Sequence, residues 1–199
     1  MDPIALILVV IGVLVLILLL WAIATYNGFV KLRNKVEEAW RQIDVELHRR
    51  HDLIPNLVET VKGYASHEKG VFDDVTRARA QAAAAGSSPA EQAQQENVLS
   101  SALARLFAVA EAYPELRANQ NFQQLQAELT NTEDRIAAGR RYYNANVREL
   151  NTKRETFPPS LIASMFNFVR AEYFETEDPA VRATPQVSFT DQGDADAAQ

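Results

Sequence analysis

The sequence predicts an all-α protein: an N-terminal transmembrane helix followed by an antiparallel helical bundle whose first helix is long and kinked. Three observations predict it. Ile4 to Ala24 is an uncharged run made almost entirely of Leu, Ile, Val and Ala. Beyond it, apolar residues return every three or four positions through most of the chain, and no segment alternates with period two for long enough to form a strand. Short breakers containing Gly, Pro and Ser separate these periodic stretches.

The apolar run comes first. At 1.5 Å per residue, Ile4 to Ala24 spans roughly 31 Å, the thickness of a bilayer's hydrocarbon core. Only a helix satisfies its own backbone groups there. The competing reading is a cleaved signal peptide, because Ala22-Ile23-Ala24 resembles a signal-peptidase site. Two features oppose it: Met1-Asp2-Pro3 has no basic side chain, and the apolar run is too long. Trp21 and Tyr26 suit the aromatic belt at an interface. Lys31, Arg33 and Lys35 follow the run with nothing basic but the α-amine before it, so the positive-inside rule puts the N-terminus outside and the bundle in the cytoplasm. The expected organisation is a short end over 1–3, a membrane helix over 4–26, a bundle over 27–174 and an acidic tail over 175–199.

Each bundle helix has its own signal. Phe29, Leu32, Val36, Trp40, Ile43, Leu47, Ile54, Leu57, Val61, Tyr64 and Val71 form one stripe, predicting a helix to about Ala85, kinked where the Pro55 ring meets the His51 carbonyl. Tyr26-Asn27-Gly28 is a candidate hinge before it. Gly86 suits a helix C-terminus, and Ser88-Pro89-Ala90-Glu91 has the form of a capping box with Pro at the first helical position. A second helix carries Leu99, Leu103, Leu106, Ala110 and Tyr113 and breaks at Pro114. A third starts near Asn121, with Phe122, Leu125, Leu129, Thr132, Ile136, Tyr143, Val147 and Leu150 in register. Phe157-Pro158-Pro159-Ser160 breaks it, and Ser160 is expected to cap a short apolar helix reaching Phe174. The tail is acidic and Pro-containing and is expected to be mostly disordered.

Composition excludes several function classes. There is no Cys, hence no disulfide framework, thiolate metal site or cysteine nucleophile. The net charge of −6 is concentrated at the end, where Glu172, Glu175, Glu177, Asp178, Asp191, Asp194 and Asp196 face Arg182 alone. The remaining bundle is nearly neutral, with no footprint for nucleic acid. His67-Glu68 begins like a metalloprotease helix, but residue 71 is Val. The glycines Gly63, Gly70 and Gly86 are isolated, and no phosphate loop or Ser nucleophile elbow occurs. No cofactor is indicated.

The first stripe carries a chemically unusual interruption. Between Leu47 and Ile54 the inward position falls on Arg50 or His51, within Arg49-Arg50-His51-Asp52. A charge facing a helical core needs a partner, or its desolvation costs several kcal/mol. Glu111 and Glu133 border the stripes of the second and third helices and are the expected partners. Three readings stand side by side: a buried ion pair that fixes helix register, a recognition patch on the bundle, and a metal site. For the last, His48 and His51 could share a face, but a third ligand is not evident.

The sequence from Arg49 through Val58, followed by Val61-Lys62-Gly63-Tyr64-Ala65 and His67-Glu68, strongly resembles the LemA family of bacterial membrane proteins. The resemblance continues through Glu111-Ala112-Tyr113-Pro114, Ala118-Asn119, Asn121-Phe122, Thr132-Glu133, Arg135-Ile136, Tyr143-Asn144, Asn151, Phe157-Pro158 and Tyr173-Phe174, and closes on Pro185, Val187 and Phe189. It implies a single-pass protein of the bacterial cytoplasmic membrane with a helical bundle, no established enzymatic activity or cofactor, and a link with membrane zinc metalloproteases. Gly139 stands where the family pattern leads one to expect Ala. The polar members of the matching blocks (Arg50, His51, Glu111, Tyr113, Glu133, Arg135 and Asn144) lie on three expected helices that a closed bundle would bring together.

Two functions follow as expectations. In one, the chain is a non-enzymatic interaction module or scaffold, anchored in the lipid bilayer, that docks another membrane protein or a second copy of itself. In the other, it is a ligand-binding or catalytic domain with a polar pocket around His51, Glu111 and Glu133.

Overall fold

Sixty residues, Pro3–Lys62, form one continuous helix, α1, about 90 Å long at 1.5 Å per residue. The computed structural model describes residues 3–85 and 88–175. Gly86, Ser87, the acidic tail from residue 176 and the closing Pro185, Val187 and Phe189 lie outside the described residues. Every α1 side chain from Pro3 to Leu20 is exposed, uncovered by any other described part of the protein, and α1 is long and apolar enough to cross a membrane. The bundle then takes over: Phe29, Leu32, Val36, Ile43, Leu47, Ile54, Leu57 and Val61 are buried at the predicted spacing, with Ala39 fully buried where the stripe places Trp40, which is half-buried. The helix runs unbroken through Tyr26-Asn27-Gly28. Beside Gly28 lies the flexible end of Lys153, whose Nζ is 5.0 Å from the centre of the Phe29 ring.

The expected helix to Ala85 is two helices. α1 stops at Lys62, and α2 occupies Lys69–Ala84. Val61 C=O accepts from the amides of both Tyr64 (3.0 Å) and Ala65 (2.9 Å), closing the turn. Reversal buries Phe72, Val75, Ala78 and Ala82, which a straight helix would have carried into solvent. Pro55 stays inside α1, so residue 55 offers no N–H to the His51 carbonyl. Arg79 on α2 supplies the missing donor, its Nε reaching His51 O at 2.6 Å. The proline thus opens an acceptor that pins α2 to α1.

The start of α3 follows its predicted signal, and the later boundaries do so in part. Ser88 Oγ accepts the Glu91 N–H at 3.2 Å and Pro89 opens α3, Pro89–Glu111. Pro114 opens the short α4, Pro114–Ala118, and Asn119 Oδ1 accepts the Phe122 N–H at 3.1 Å to cap α5, Gln120–Glu155. The last helix, α6, is only Pro159–Met165, with Pro158 rather than Ser160 at its cap position. It ends in a Schellman turn: Phe168 N–H reaches Ala163 O (2.9 Å), Asn167 N–H reaches Ser164 O (3.4 Å), and Asn167 takes φ 57°. Asn tolerates that left-handed conformation better than most side chains. Residues 168–175 then run back along α5 as a non-helical strap, where the sequence predicts helix to Phe174.

α1 and α5 form the antiparallel spine of an all-α bundle. Their contacts step in opposite directions: Gly28 with Lys153, Ile43 with Gly139, Glu46 with Arg135, and Arg50 with Glu133. At Gly139 an added Cβ would sit 3.0 Å from Ile43 Cγ1, so glycine permits the close approach. Two cores line this spine. The one nearer the apolar end contains Phe29, Ile43, Leu47, Val147, Leu150 and Phe174. The distal one contains Ile54, Leu57, Val61, Val75, Leu99, Leu106 and Leu116.

Candidate functional site

Between the two cores sits a layer of buried polar groups. Arg50 and His51 project from α1, and both meet Glu96 on α3. Arg50 Nη1 donates to Glu96 Oε2 at 2.9 Å, and His51 Nε2 lies 2.8 Å from Glu96 Oε1. Gln92, one turn earlier, gives one amide hydrogen to the same Oε1 (2.9 Å) and one to Ala82 O (3.0 Å). A carboxylate can only accept, so His51 carries its hydrogen on Nε2. Arg50 Nη2 donates to Ser100 Oγ at 2.7 Å. All four principal side chains, Arg50, His51, Gln92 and Glu96, are buried. The charges are paired and hydrogen-bonded, the condition under which burial of ions is tolerated.

Glu96 is the partner that sequence reasoning misses. It lies in Gln94-Gln95-Glu96-Asn97, where no apolar residue marks a face. Extending the Leu103–Leu99 stripe back by one turn lands close to it. Glu133 does meet Arg50, its Oε2 standing 3.4 Å from Nε, but its side chain is 52% exposed and the geometry is that of an ion pair without a hydrogen bond. Glu111 does not reach the cluster. It is exposed near the end of α3, beside a smaller depression lined by Phe107, Ala110, Arg117, Phe122 and Gln126.

The remaining candidates separate into several places. Arg49 and Asp52 are exposed on α1. Tyr113 is partly buried against the distal core, just before α4. Arg135 bridges α5 to α1 through Glu46 Oε1 (3.4 Å) and bonds Asn131 Oδ1 (2.8 Å). Asn144 holds the strap: its Oδ1 accepts the Phe174 N–H and its Nδ2 donates to Phe174 O, both at 3.0 Å.

Asn144 is one rung of a ladder. Asn151 repeats the same two-way bond with Ala171, both at 2.9 Å. Seven helical residues rise about 10.5 Å, and three extended residues cover about 10 Å, so rungs at 144 and 151 match strap residues 174 and 171. Alongside them Tyr143 Oη donates to Glu172 O at 2.8 Å, and Arg154 Nε donates to Phe168 O at 2.9 Å. Burial, reinforced by the Glu172 carboxylate, pushes the Tyr143 phenol up to about 12. These groups satisfy the strap's backbone as a neighbouring strand would.

A groove opens beside the charged layer, between α3 and α5. It has a volume of about 480 Å³ and is lined by Leu103, Ala104, Phe107 and Leu129, with Gln126, Thr130, Glu133 and Asp134 among its polar members and Arg50 and Ser100 at the charged layer. His51 does not line it. The three residues of the expected polar pocket are therefore not convergent: His51 is closed off on Glu96, Glu111 lies elsewhere, and Glu133 alone borders this groove. No group of three or more His, Cys, Asp or Glu side chains with metal-binding geometry occurs among the described residues. His48 is exposed and donates from Nδ1 to Asp44 O at 2.9 Å.

The LemA family profile matches residues 39–189, most of the chain and all of the charged layer. The chain belongs to the LemA family. It is similar to the magnetosome protein MamQ 2 of Paramagnetospirillum magneticum, 28% identical across 78% of this chain and 66% of that protein. Magnetosome protein MamQ of Magnetospirillum gryphiswaldense is 27% identical across 81% of this chain and 70% of its own length. Protein LemA of Metamycoplasma hominis is 24% identical across 76% of this chain and 69% of its own length. This chain thus spans about two thirds of the length of these relatives. It is a membrane-associated helical-bundle protein of the LemA family, similar to MamQ, with one long apolar N-terminal helix.

Proposed function

We propose that this LemA-family chain is a membrane-anchored docking module, and that the groove between α3 and α5 receives a segment of another membrane protein or of a second copy. The observation that carries the reading is the groove's construction. Apolar Leu103, Phe107 and Leu129 form its lining, polar Gln126, Thr130, Glu133 and Asp134 accompany them, and no other helix of the described chain covers it. Helical grooves of this kind accept an amphipathic helix or extended segment. The charged layer behind it keeps α1, α3 and α5 at fixed spacing, which preserves the groove's shape.

The finer assignments belong to the same reading. A single pass through the bacterial inner membrane, with the bundle on the cytoplasmic side, is supported by Lys31, Arg33 and Lys35. The division into a short end (1–3), membrane helix (4–26), bundle (27–174) and tail (175–199) follows the charge and periodicity of the sequence. Family resemblance makes a membrane zinc metalloprotease the first partner class to test. The candidate recognition set is then Glu133 with its groove neighbours, while Arg50 and His51 act behind them.

A photo-crosslinking residue placed at Thr130, with a control at exposed Val45 on α1, tests this in intact cells. One membrane protein, or a second copy of the chain, captured near stoichiometrically from position 130 and not from 45 is the expected outcome. Equal, diffuse labelling from both positions would overturn the docking role.

A further inference from the structure

The end of the bundle beside the apolar helix carries a second, unpaired apolar surface. Leu161 and Met165 stand one turn apart on α6, Phe166 follows at its end, and Phe157 and Val169 flank the helix on either side along the chain. Phe157 is 76% exposed, Met165 74% and Val169 74%. Side chains of this size are seldom left in water together, and a contiguous apolar patch marks an interaction surface. The opposite side of α6 is already used: Ile162 and Ala163 are buried in the membrane-proximal core.

The position of α6 along α1 identifies what covers the patch. Tyr26 packs edge-on against Phe166 (4.8 Å between ring centres) and Phe168 (5.7 Å), and Phe29 stacks on Phe168 at 4.9 Å. Trp21 and Ala22 are partly buried against the same core. The described part of α1 carries no charge before Lys31, about 15 Å beyond Trp21 at 1.5 Å per residue. The patch is therefore held beside the last uncharged turns of the membrane helix, at the level where hydrocarbon gives way to headgroups. Basic side chains stand at the same end: Arg33 lies over the Phe168 ring at 5.8 Å, Lys153 lies against Phe29, and Arg170 is 65% exposed. That pairing of exposed apolar side chains with flanking Lys and Arg is the chemistry of an interfacial segment.

We infer that α6 and its flanks, Phe157 to Val169, form a second membrane contact that inserts into the interfacial layer of the bilayer crossed by α1. One helix leaves a bundle free to swivel and tilt about its axis. Two contacts, joined through the Tyr26–Phe166 packing, fix how the bundle stands on the membrane. The α3–α5 groove, distal along the spine, is then presented at a set height and direction. The lipid contact forms whether or not a partner occupies that groove.

The chain has no Cys, so a single cysteine can be labelled cleanly. Met165→Cys, and separately Val169→Cys, in the full chain would carry an environment-sensitive fluorophore after reconstitution into phosphatidylcholine–phosphatidylglycerol vesicles. Val45→Cys is the distal control: Val45 is exposed and lies about 30 Å beyond Thr25 on α1 at 1.5 Å per residue, clear of the bilayer. Quenching by lipids carrying a shallow nitroxide is expected to be at least about threefold stronger at 165 and 169 than at 45, with aqueous iodide showing the reverse order. Iodide quenching at 165 and 169 equal to that at 45 would overturn the inference, because the patch would then face water. An apolar emission at both sites with no lipid quenching would overturn it too, because a protein surface would then cover the patch.

Discussion

The bundle handles buried polarity in two different ways at its two levels. Midway along the spine, Arg50 and Glu96 bury formal charge, and with His51 they depend on one another. Nearer the apolar end, the buried Asn151 and Tyr143 and the half-buried Asn144 bind the strap's backbone with neutral groups. An ion removed from the first level leaves its counter-ion stranded in a medium that solvates it poorly. An amide removed from the second leaves two backbone groups, which water can reach if the strap lifts. The charged layer should therefore fail globally and the ladder locally.

Glu96→Ala tests that contrast most severely. It strands Arg50, His51 and Gln92 together and should cost about 3–5 kcal/mol, read as a lowered midpoint in denaturant titration. Replacing the layer as a set, with Arg50→Met, His51→Leu and Glu96→Leu, should recover most of the loss, since the buried ion pair goes as a whole. If Glu96→Ala proves silent, the layer is not the fixed point of the bundle.

Asn151→Ala comes next, at about 1–3 kcal/mol. Its signature is placement: hydrogen exchange should accelerate across residues 168–174 while amides around Leu99 and Leu106 keep their protection. Uniform acceleration through both cores would remove the distinction between the two levels.

Arg79→Met should cost about 1 kcal/mol by leaving the His51 carbonyl without its donor. The same change in a Pro55→Ala background should cost less, because the restored amide of residue 55 can bond that carbonyl within α1. Equal losses in the two backgrounds would show that Arg79 acts through packing alone.

At neutral pH the smallest effect is that of Tyr143, which shows only as a pH dependence in the alkaline range. Tyr143 has its phenol raised from 10.0 to about 12 by burial first and the Glu172 charge second. A raised folded-state value means that its contribution is complete below the unfolded value of 10.0 and is lost as pH rises through about 12. Tyr143→Phe should flatten that part of the stability profile and leave its shape near neutral pH unchanged.

Much of this architecture is legible in the residue order. Ser88-Pro89 marks a helix start and Pro114 a helix break through local chemistry, and the apolar stripe of α1 follows directly from its period. Arg50 and His51 stand out by interrupting that stripe. Their partner is less visible because Glu96 sits among other polar residues, where nothing local distinguishes a buried carboxylate from a solvated one. The break at Lys62 is hidden for a related reason: Tyr64 and Val71 keep the helical spacing across a turn, so periodicity alone carries the helix too far.

Residue order alone settles the apolar span, the all-α class and the position of most helix ends, since each depends on neighbours within a few residues. Three-dimensional packing settles the rest: Arg79 serves the carbonyl opened by Pro55, Glu96 closes the charged layer, and residues 168–175 leave the helix to run beside Asn144 and Asn151. Those outcomes depend on which distant groups arrive within hydrogen-bonding distance, and burial makes each arrival worth more than local preference.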